Sequence, residues 1–247
     1  VILLHIIYKE GYNEDEGVSD MLTKLIMKNF RSFKDETVID FKRTKYEMLA
    51  EVNVADNDIL KGMMFVGGNA SGKSNAILAI RLLLELLFKE REINKGVLPC
   101  LFSNSAEFSL DYYFLIDNTE VRYEIKNNLA KKSIYEKLYI NDTLQLERMG
   151  LAAKSYIDAG KEISYSDEDL DEETLLLRKI YFDSNRFSGN SILKKWYEFL
   201  RNCIYFNAVE HKVVTYNNTD LRLKSYVKDL GVEKLNDFFS MHNFEQM

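Results

Sequence analysis

One short stretch of the sequence has residue types and a spacing suited to holding phosphate groups. Residues 67–74 fit the pattern G-x-x-x-x-G-K-[ST]. Small residues there let consecutive backbone N–H groups point at phosphate oxygens without obstruction. Lys73 can reach the β- and γ-phosphates as a point charge, and the hydroxyl of Ser74 can hold Mg²⁺. The predicted nucleotide-binding residues are Gly67, Gly68, Asn69, Ala70, Ser71, Gly72, Lys73, Ser74 and Asn75.

A loop of this kind needs a strand before it and a helix after it, because the positive end of the helix dipole helps to hold the anion. Residues 63–66 are Met-Met-Phe-Val, which predicts a short apolar strand in the middle of a sheet covered on both faces. Residues 75–90 are apolar almost all round a helical wheel, which predicts a helix buried on most sides.

Alternating patterns predict antiparallel strands on both sides of this unit. Residues 22–33 and 36–42 alternate and are expected to form a first hairpin. Residues 108–117 and 120–126 are expected to form a meander around a turn at 117–119, and a second hairpin is expected to turn at 141–142.

The later part of the chain shows helical patterns. The acidic run at 167–173 predicts a helix start, with Arg178 and Lys179 near the end of the same helix. Trp196 lies on the apolar stripe of a second helix and is expected in the core. A third amphipathic stretch, 221–231, ends at Gly231.

Composition narrows the class of protein. The chain has 247 residues and a formal net charge of −6, so it lacks the strongly basic character of many nucleic-acid-binding proteins. Cys100 and Cys203 are expected as buried, reduced thiols of a cytoplasmic protein. The three histidines are isolated, which argues against a zinc site or a Ser-His-Asp triad. No segment has the length of a membrane-spanning helix.

Two segments resemble a known family. Residues 29–33 are Asn-Phe-Arg-Ser-Phe within a strand pattern, and the loop at 67–75 is Gly-Gly-Asn-Ala-Ser-Gly-Lys-Ser-Asn. Together they resemble the SMC/RecF-like branch of ABC-type ATPases. More narrowly, they are similar to prokaryotic AAA-family ATP-binding proteins of abortive-infection and overcoming-lysogenization-defect systems. The resemblance is specific over about residues 21–90 and only patterned over 100–210.

The resemblance implies a fold and a division of the chain. The fold would be α/β, a P-loop NTPase of the ABC-ATPase type. A central strand–P-loop–helix would be followed by an antiparallel β meander and a helical insertion, with the sheet incomplete. Residues 21–148 would form the nucleotide-binding lobe and 149–247 a truncated helical insertion. Residues 1–20 are expected to be a translated leader or a disordered tail, with Met21 as the true start.

The resemblance also implies ligands and partners. ATP and Mg²⁺ would bind at the loop, with the backbone of residues 68–72 around the β- and γ-phosphates and Ser74 on Mg²⁺. Arg31 would lie close to the nucleotide, although an exposed strand arginine explains it equally well. The intact form would be a homodimer in anti-phage defence, with an effector protein as a further partner. Nucleic acid is a partner by analogy with the family only.

Hydrolysis in that family needs a later apolar strand ending in Asp-Glu. Residues 112–117 end in Asp117, and residues 180–184 contain Asp183. Neither segment ends in the required Asp-Glu pair. The Ser-Gly-Gly signature segment is also missing, and residues 186–193 are its nearest imitation. No catalytic residue is therefore identified. Three functions stay open: an ATPase, a nucleotide-binding module or remnant without turnover, and, as the weakest, a small-molecule or nucleotide kinase.

Overall fold

The structure is a computed structural model that describes residues 2–4, 20–45, 50–55, 57–89, 91–158, 160–183, 187, 189–207 and 212–216. Most regular elements in these ranges are strands. They are β1 (Ile2–Leu4), β2 (Met21–Lys28), β3 (Thr37–Asp40), β4 (Met63–Phe65), β5 (Glu107–Ile116), β6 (Thr119–Asn128), β7 (Ser133–Ile140), β8 (Thr143–Met149), β9 (Ala152–Ser155), β10 (Ile163–Tyr165), β11 (Ile204–Asn207) and β12 (Lys212–Thr215). The helices are α1 (Ala50–Asn53), α2 (Lys73–Phe88), α3 (Leu176–Asp183) and α4 (Ser191–Asn202).

Eight strands form one antiparallel sheet in the spatial order β10-β9-β8-β7-β6-β5-β2-β3. From β5 to β10 each strand lies beside the next one along the chain. The predicted α/β fold of the ABC-ATPase type, with a central strand–loop–helix, is therefore wrong. The described chain is a β-rich fold in which an antiparallel sheet dominates and helices are few.

The strand before the phosphate loop explains this error. Within the described ranges β4 pairs only with β1, in a separate two-stranded sheet. Met64 is 56% exposed and Val66 is 71% exposed, so the apolar run is not covered on both faces. An apolar run indicates a strand that can be buried, but it does not say which strands pair with it. The long alternating strands pair with their neighbours instead and leave β4 outside the main sheet.

The predicted hairpins are confirmed. β2 pairs with β3, β5 with β6, and β7 with β8, all antiparallel. The two-residue turns after β5 and β7 have positive φ angles at both positions, 51° and 58° at Asp117 and Asn118, and 44° and 60° at Asn141 and Asp142. Asn and Asp tolerate this left-handed conformation, which matches the twist of a two-residue hairpin.

The core lies between one face of the sheet and the helices. The buried helix predicted at 75–90 is confirmed as α2, and the hydroxyl of Tyr112 on β5 donates a 2.7 Å hydrogen bond to the carbonyl of Ala79. Trp196 on α4 is fully buried, with ring centroids 5.5 Å from Phe114 and 5.9 Å from Tyr123. Its predicted place in the core is confirmed.

The region after β8 differs from the helical prediction in two ways. β9 and β10 extend the sheet before any helix begins. The acidic run at 167–173 precedes α3 rather than forming its first turn, because α3 begins at Leu176. The carboxylate of Glu136 on β7 accepts hydrogen bonds from the N–H groups of Leu176 and Leu177, so the sheet caps this helix.

The predicted helix at 221–231 lies outside the described residues. Among the helices that the structure describes, none is long and apolar enough to cross a bilayer.

Candidate phosphate-binding site

The predicted phosphate loop leaves β4 and ends where α2 begins at Lys73. Three of its residues have positive φ angles: 154° at Gly67, 60° at Ala70 and 92° at Gly72. Gly72 is the residue directly before the helix, and no side chain caps the helix there. A Cβ atom on Gly72 would lie 2.8 Å from the Ser32 hydroxyl oxygen, so a larger residue would have to move that hydroxyl as well as adopt the strained backbone conformation.

The backbone donors of the loop have no partners inside the described part of the chain. No hydrogen bond there starts from an N–H group of residues 68–74, and the first donors of the helix are the N–H groups of Asn75 and Ala76, both to the carbonyl of Gly72. Residues 67–71 are exposed. Unpaired N–H groups at the start of a helix form a site for an anion, since the helix dipole adds its positive end there.

Lys73 already lies across the loop. Its Nζ donates to the carbonyl oxygens of Gly67 at 2.8 Å and Gly68 at 2.6 Å, and to the hydroxyl of Ser71 at 3.2 Å. An ammonium group has three N–H donors, so the loop uses all of them. A bound phosphate would replace one of these acceptors with an anionic oxygen and form a stronger, charge-assisted bond.

Ser74 and Asn75 have different surroundings. The Ser74 side chain is exposed, and no hydrogen bond to it is found in the described ranges, so its hydroxyl is free to bind a cation. The described residues contain no group of three or more His, Cys, Asp or Glu side chains that could hold a metal. Mg²⁺ commonly takes most of its oxygens from phosphates and water, and one hydroxyl from Ser74 fits that pattern. The Asn75 side chain instead donates to the Ser32 hydroxyl at 2.9 Å.

Arg31 lies in the turn that contacts the loop, and no hydrogen bond or ion pair in the described ranges joins its side chain to residues 67–74. Its backbone N–H donates to the Leu98 carbonyl at 2.7 Å. Its Nε is enclosed and has no hydrogen-bond partner among the described residues. Ser32 and Phe33 of the same turn face Gly72. Neither Ser32 nor Phe33 was predicted as a site residue, although both stand beside Arg31 in the same five-residue motif.

The aspartates considered as catalytic acids lie elsewhere. Asp117 is in the β5–β6 turn and forms an ion pair with Lys195 on α4. Asp183 is the last residue of α3. Ser188, from the segment compared with the signature motif, lies outside the described residues. Within the described ranges no hydrogen bond or ion pair brings a carboxylate to residues 67–74.

No family model and no curated protein matches the chain. The resemblance to ABC-type ATPases therefore stays a prediction, and any statement on function depends on the loop itself.

Proposed function

We propose that this chain binds a nucleoside triphosphate, ATP, together with Mg²⁺ at residues 67–74. One observation supports this most directly: the backbone N–H groups of residues 68–74 have no acceptor in the described part of the chain, and they stand at the start of a 16-residue, largely buried helix. Unpaired donors exposed at a rigid helix start suit a triphosphate.

Each residue has a distinct part in this proposal. The backbone of residues 68–72 surrounds the β- and γ-phosphates, and the short side chains of Asn69, Ala70 and Ser71 leave it accessible. Lys73 exchanges a carbonyl acceptor of the loop for a phosphate oxygen. Ser74 supplies one oxygen to Mg²⁺, whose positive charge offsets that of the phosphates. The choice of ATP over GTP follows from the resemblance alone.

Binding without turnover is the form of the proposal that the geometry favours. Hydrolysis requires a group that positions the attacking water and metal ions that neutralise the developing charge. The described contacts bring no carboxylate to the loop, so a nucleotide-binding module accounts for the site better than an ATPase. Homodimerisation, an effector protein and a part in phage defence follow only from the resemblance.

The proposed location is the cytoplasm. Cys100 and Cys203 are both buried and both free. Unpaired cysteines fit a reducing compartment, where nucleoside triphosphates are also abundant.

Calorimetric titration with Mg-ATP tests the proposal. We expect saturable binding that weakens about tenfold or more in Lys73→Ala, because a charge-assisted hydrogen bond contributes about 1.5–3 kcal/mol. Lys131→Ala is the matched control, since Lys131 is an exposed lysine in the β6–β7 turn. The absence of binding, or equal affinity of Lys73→Ala and the wild type, would contradict the proposal. Steady-state phosphate release by this chain would contradict binding without turnover.

A further inference from the structure

We propose that Ser32 is a positioning residue of the phosphate site, which it holds through Asn75. This inference depends on the proposed function. It assigns to the turn at residues 29–33 a role that differs from a contact between Arg31 and the nucleotide.

The turn at 29–33 is firmly held. Phe30 and Phe33 exchange two backbone hydrogen bonds of 2.8 Å, which close the turn. The side chain of Asn29 donates to the carbonyls of Ser105 and Glu107, at 2.9 and 2.6 Å. Phe30 is fully buried. Ser32 therefore projects from a fixed support that continues directly from β2 of the main sheet.

Ser32 and Phe33 meet the phosphate loop at two points. The Ser32 hydroxyl accepts the 2.9 Å hydrogen bond from the Asn75 side chain. The same hydroxyl and the Phe33 ring occupy the space that a Cβ atom on Gly72 would need, at 2.8 and 3.2 Å. Gly72 precedes Lys73 and Asn75 follows Ser74, so the turn contacts the chain on both sides of the two residues that bind phosphate and Mg²⁺.

The contact compensates for a missing cap. A helix start is usually held by a side chain of its own N-cap residue, but Gly72 offers none. The Ser32–Asn75 hydrogen bond fixes the first turn of α2 from a different element. A loop that is already ordered loses less conformational entropy when the ligand binds, so the bond increases affinity.

Ser32 is exposed, so a positioning role and a structural role of its hydrogen bond predict different effects on affinity and on stability. An exposed hydrogen bond adds little to folding stability, because water replaces the lost partner. Removing the hydroxyl should therefore change the affinity for Mg-ATP while leaving the melting temperature almost unchanged.

The test is a thermodynamic cycle on affinity for Mg-ATP, measured by calorimetry for the wild type, Ser32→Ala, Asn75→Ala and the double variant. We expect each single variant to bind roughly three- to tenfold more weakly, as one hydrogen bond predicts, and the double variant to lose no more than either. Ser32→Thr, which keeps the hydroxyl, should restore most of the affinity. Ser164→Ala is the matched control, because Ser164 is an exposed serine on β10, and it should bind as the wild type does.

The outcomes separate the two proposals. If the wild type binds and Ser32→Ala binds equally well, the positioning role is wrong and the proposed function stands. Additive losses in the double variant would also overturn the positioning role, because the two side chains would then act independently. If the wild type does not bind Mg-ATP, the proposed function fails and this inference fails with it.

Discussion

At the scale of single residues, Gly72 shows why the sequence at the loop is so restricted. It has a φ angle of 92°, and Ser32 and Phe33 occupy the space beside its α-carbon. Another glycine, Gly96, has a φ angle of 94° but nothing within 4 Å of the position of a Cβ atom. Both glycines have the left-handed backbone conformation, but only at Gly72 do neighbouring side chains occupy the position of a Cβ atom.

This difference gives a prediction. Gly72→Ala and Gly96→Ala should both lower the unfolding free energy by about 1–2 kcal/mol, since alanine resists the left-handed region. Only Gly72→Ala should also abolish most of the Mg-ATP affinity, because the added methyl group would meet the Ser32 hydroxyl and the Phe33 ring and disturb the contact between the turn and the loop. Urea unfolding and calorimetric titration of both variants measure the two effects. Equal affinities of the two variants would show that the turn does not constrain the loop.

Asp111 is a second residue with a measurable consequence. It lies on β5, on the face of the sheet opposite the core, directly opposite Glu124 in register. Its Oδ1 is enclosed and has no hydrogen-bond partner among the described residues. Burial, and then the Glu124 charge with a smaller contribution from Glu36, raises the pKa of Asp111 to about 6, although Lys126 and Arg122 act in the opposite direction.

A raised carboxyl pKa means that the folded state binds the proton more tightly than the unfolded state does. The contribution of Asp111 to stability is therefore unfavourable above about pH 6, and it diminishes as the pH falls towards 4. We expect Asp111→Asn to raise the unfolding free energy at pH 8 by roughly 1 kcal/mol and to approach the wild type near pH 4. Urea unfolding at both pH values tests this. Asp167→Asn, in an exposed turn, is the control, and a gain that does not depend on pH would contradict the account.

At the scale of elements, a buried ion pair joins α3 to the sheet. Glu136 on β7 and Arg148 on β8 are 0% and 1% exposed. Glu136 accepts hydrogen bonds from the Tyr123 hydroxyl at 2.7 Å and from the first N–H groups of α3, beginning at Leu176. Arg148 donates to the carbonyl of Thr174 at 2.7 Å. The start of α3 is therefore set by Glu136, 40 positions before Leu176, and by Arg148, 26 positions before Thr174.

Removing the charge of Glu136 should be costly. In Glu136→Gln the Arg148 guanidinium would stay buried without its counter-ion, so we expect the unfolding free energy to fall by about 3 kcal/mol. Glu147→Gln is a matched control, because Glu147 pairs with Lys137 at 2.8 Å on the half-exposed face of the sheet. It should cost less than about 1 kcal/mol. Chemical denaturation compares the two variants, and similar losses would show that the buried pair does not anchor α3.

At the scale of the whole molecule, sequence patterns predicted those features that depend on residues close together in the chain. The hairpin turns at Asp117-Asn118 and Asn141-Asp142, the buried helix α2 and the core position of Trp196 follow from local chemistry and periodicity. The place of β4 outside the main sheet does not, because strand pairing is a property of the assembled sheet. The contact between Ser32 and Asn75 joins residues 43 apart, and no local pattern encodes it.

The predicted site residues at 67–74 form a continuous segment, a loop followed by the first two residues of α2, because a single short motif contains all of them. The fold predicted around that loop was wrong. The resemblance was specific for a short motif, and it did not extend to the pairing of the strands in the sheet. The loop with its phosphate-binding sequence pattern and the β-rich architecture are thus separate features of the chain, and the proposed function is argued from the first of them.

The most direct measurement is amide hydrogen exchange of residues 68–74 with and without saturating Mg-ATP. Amides without acceptors exchange quickly, most of all in the exposed residues 68–71, so the account predicts fast exchange in the free protein and a slowing of about tenfold or more on binding, with β5 to β8 unchanged. Unchanged exchange at residues 68–74 under saturating Mg-ATP would contradict the claim that these N–H groups hold the phosphates.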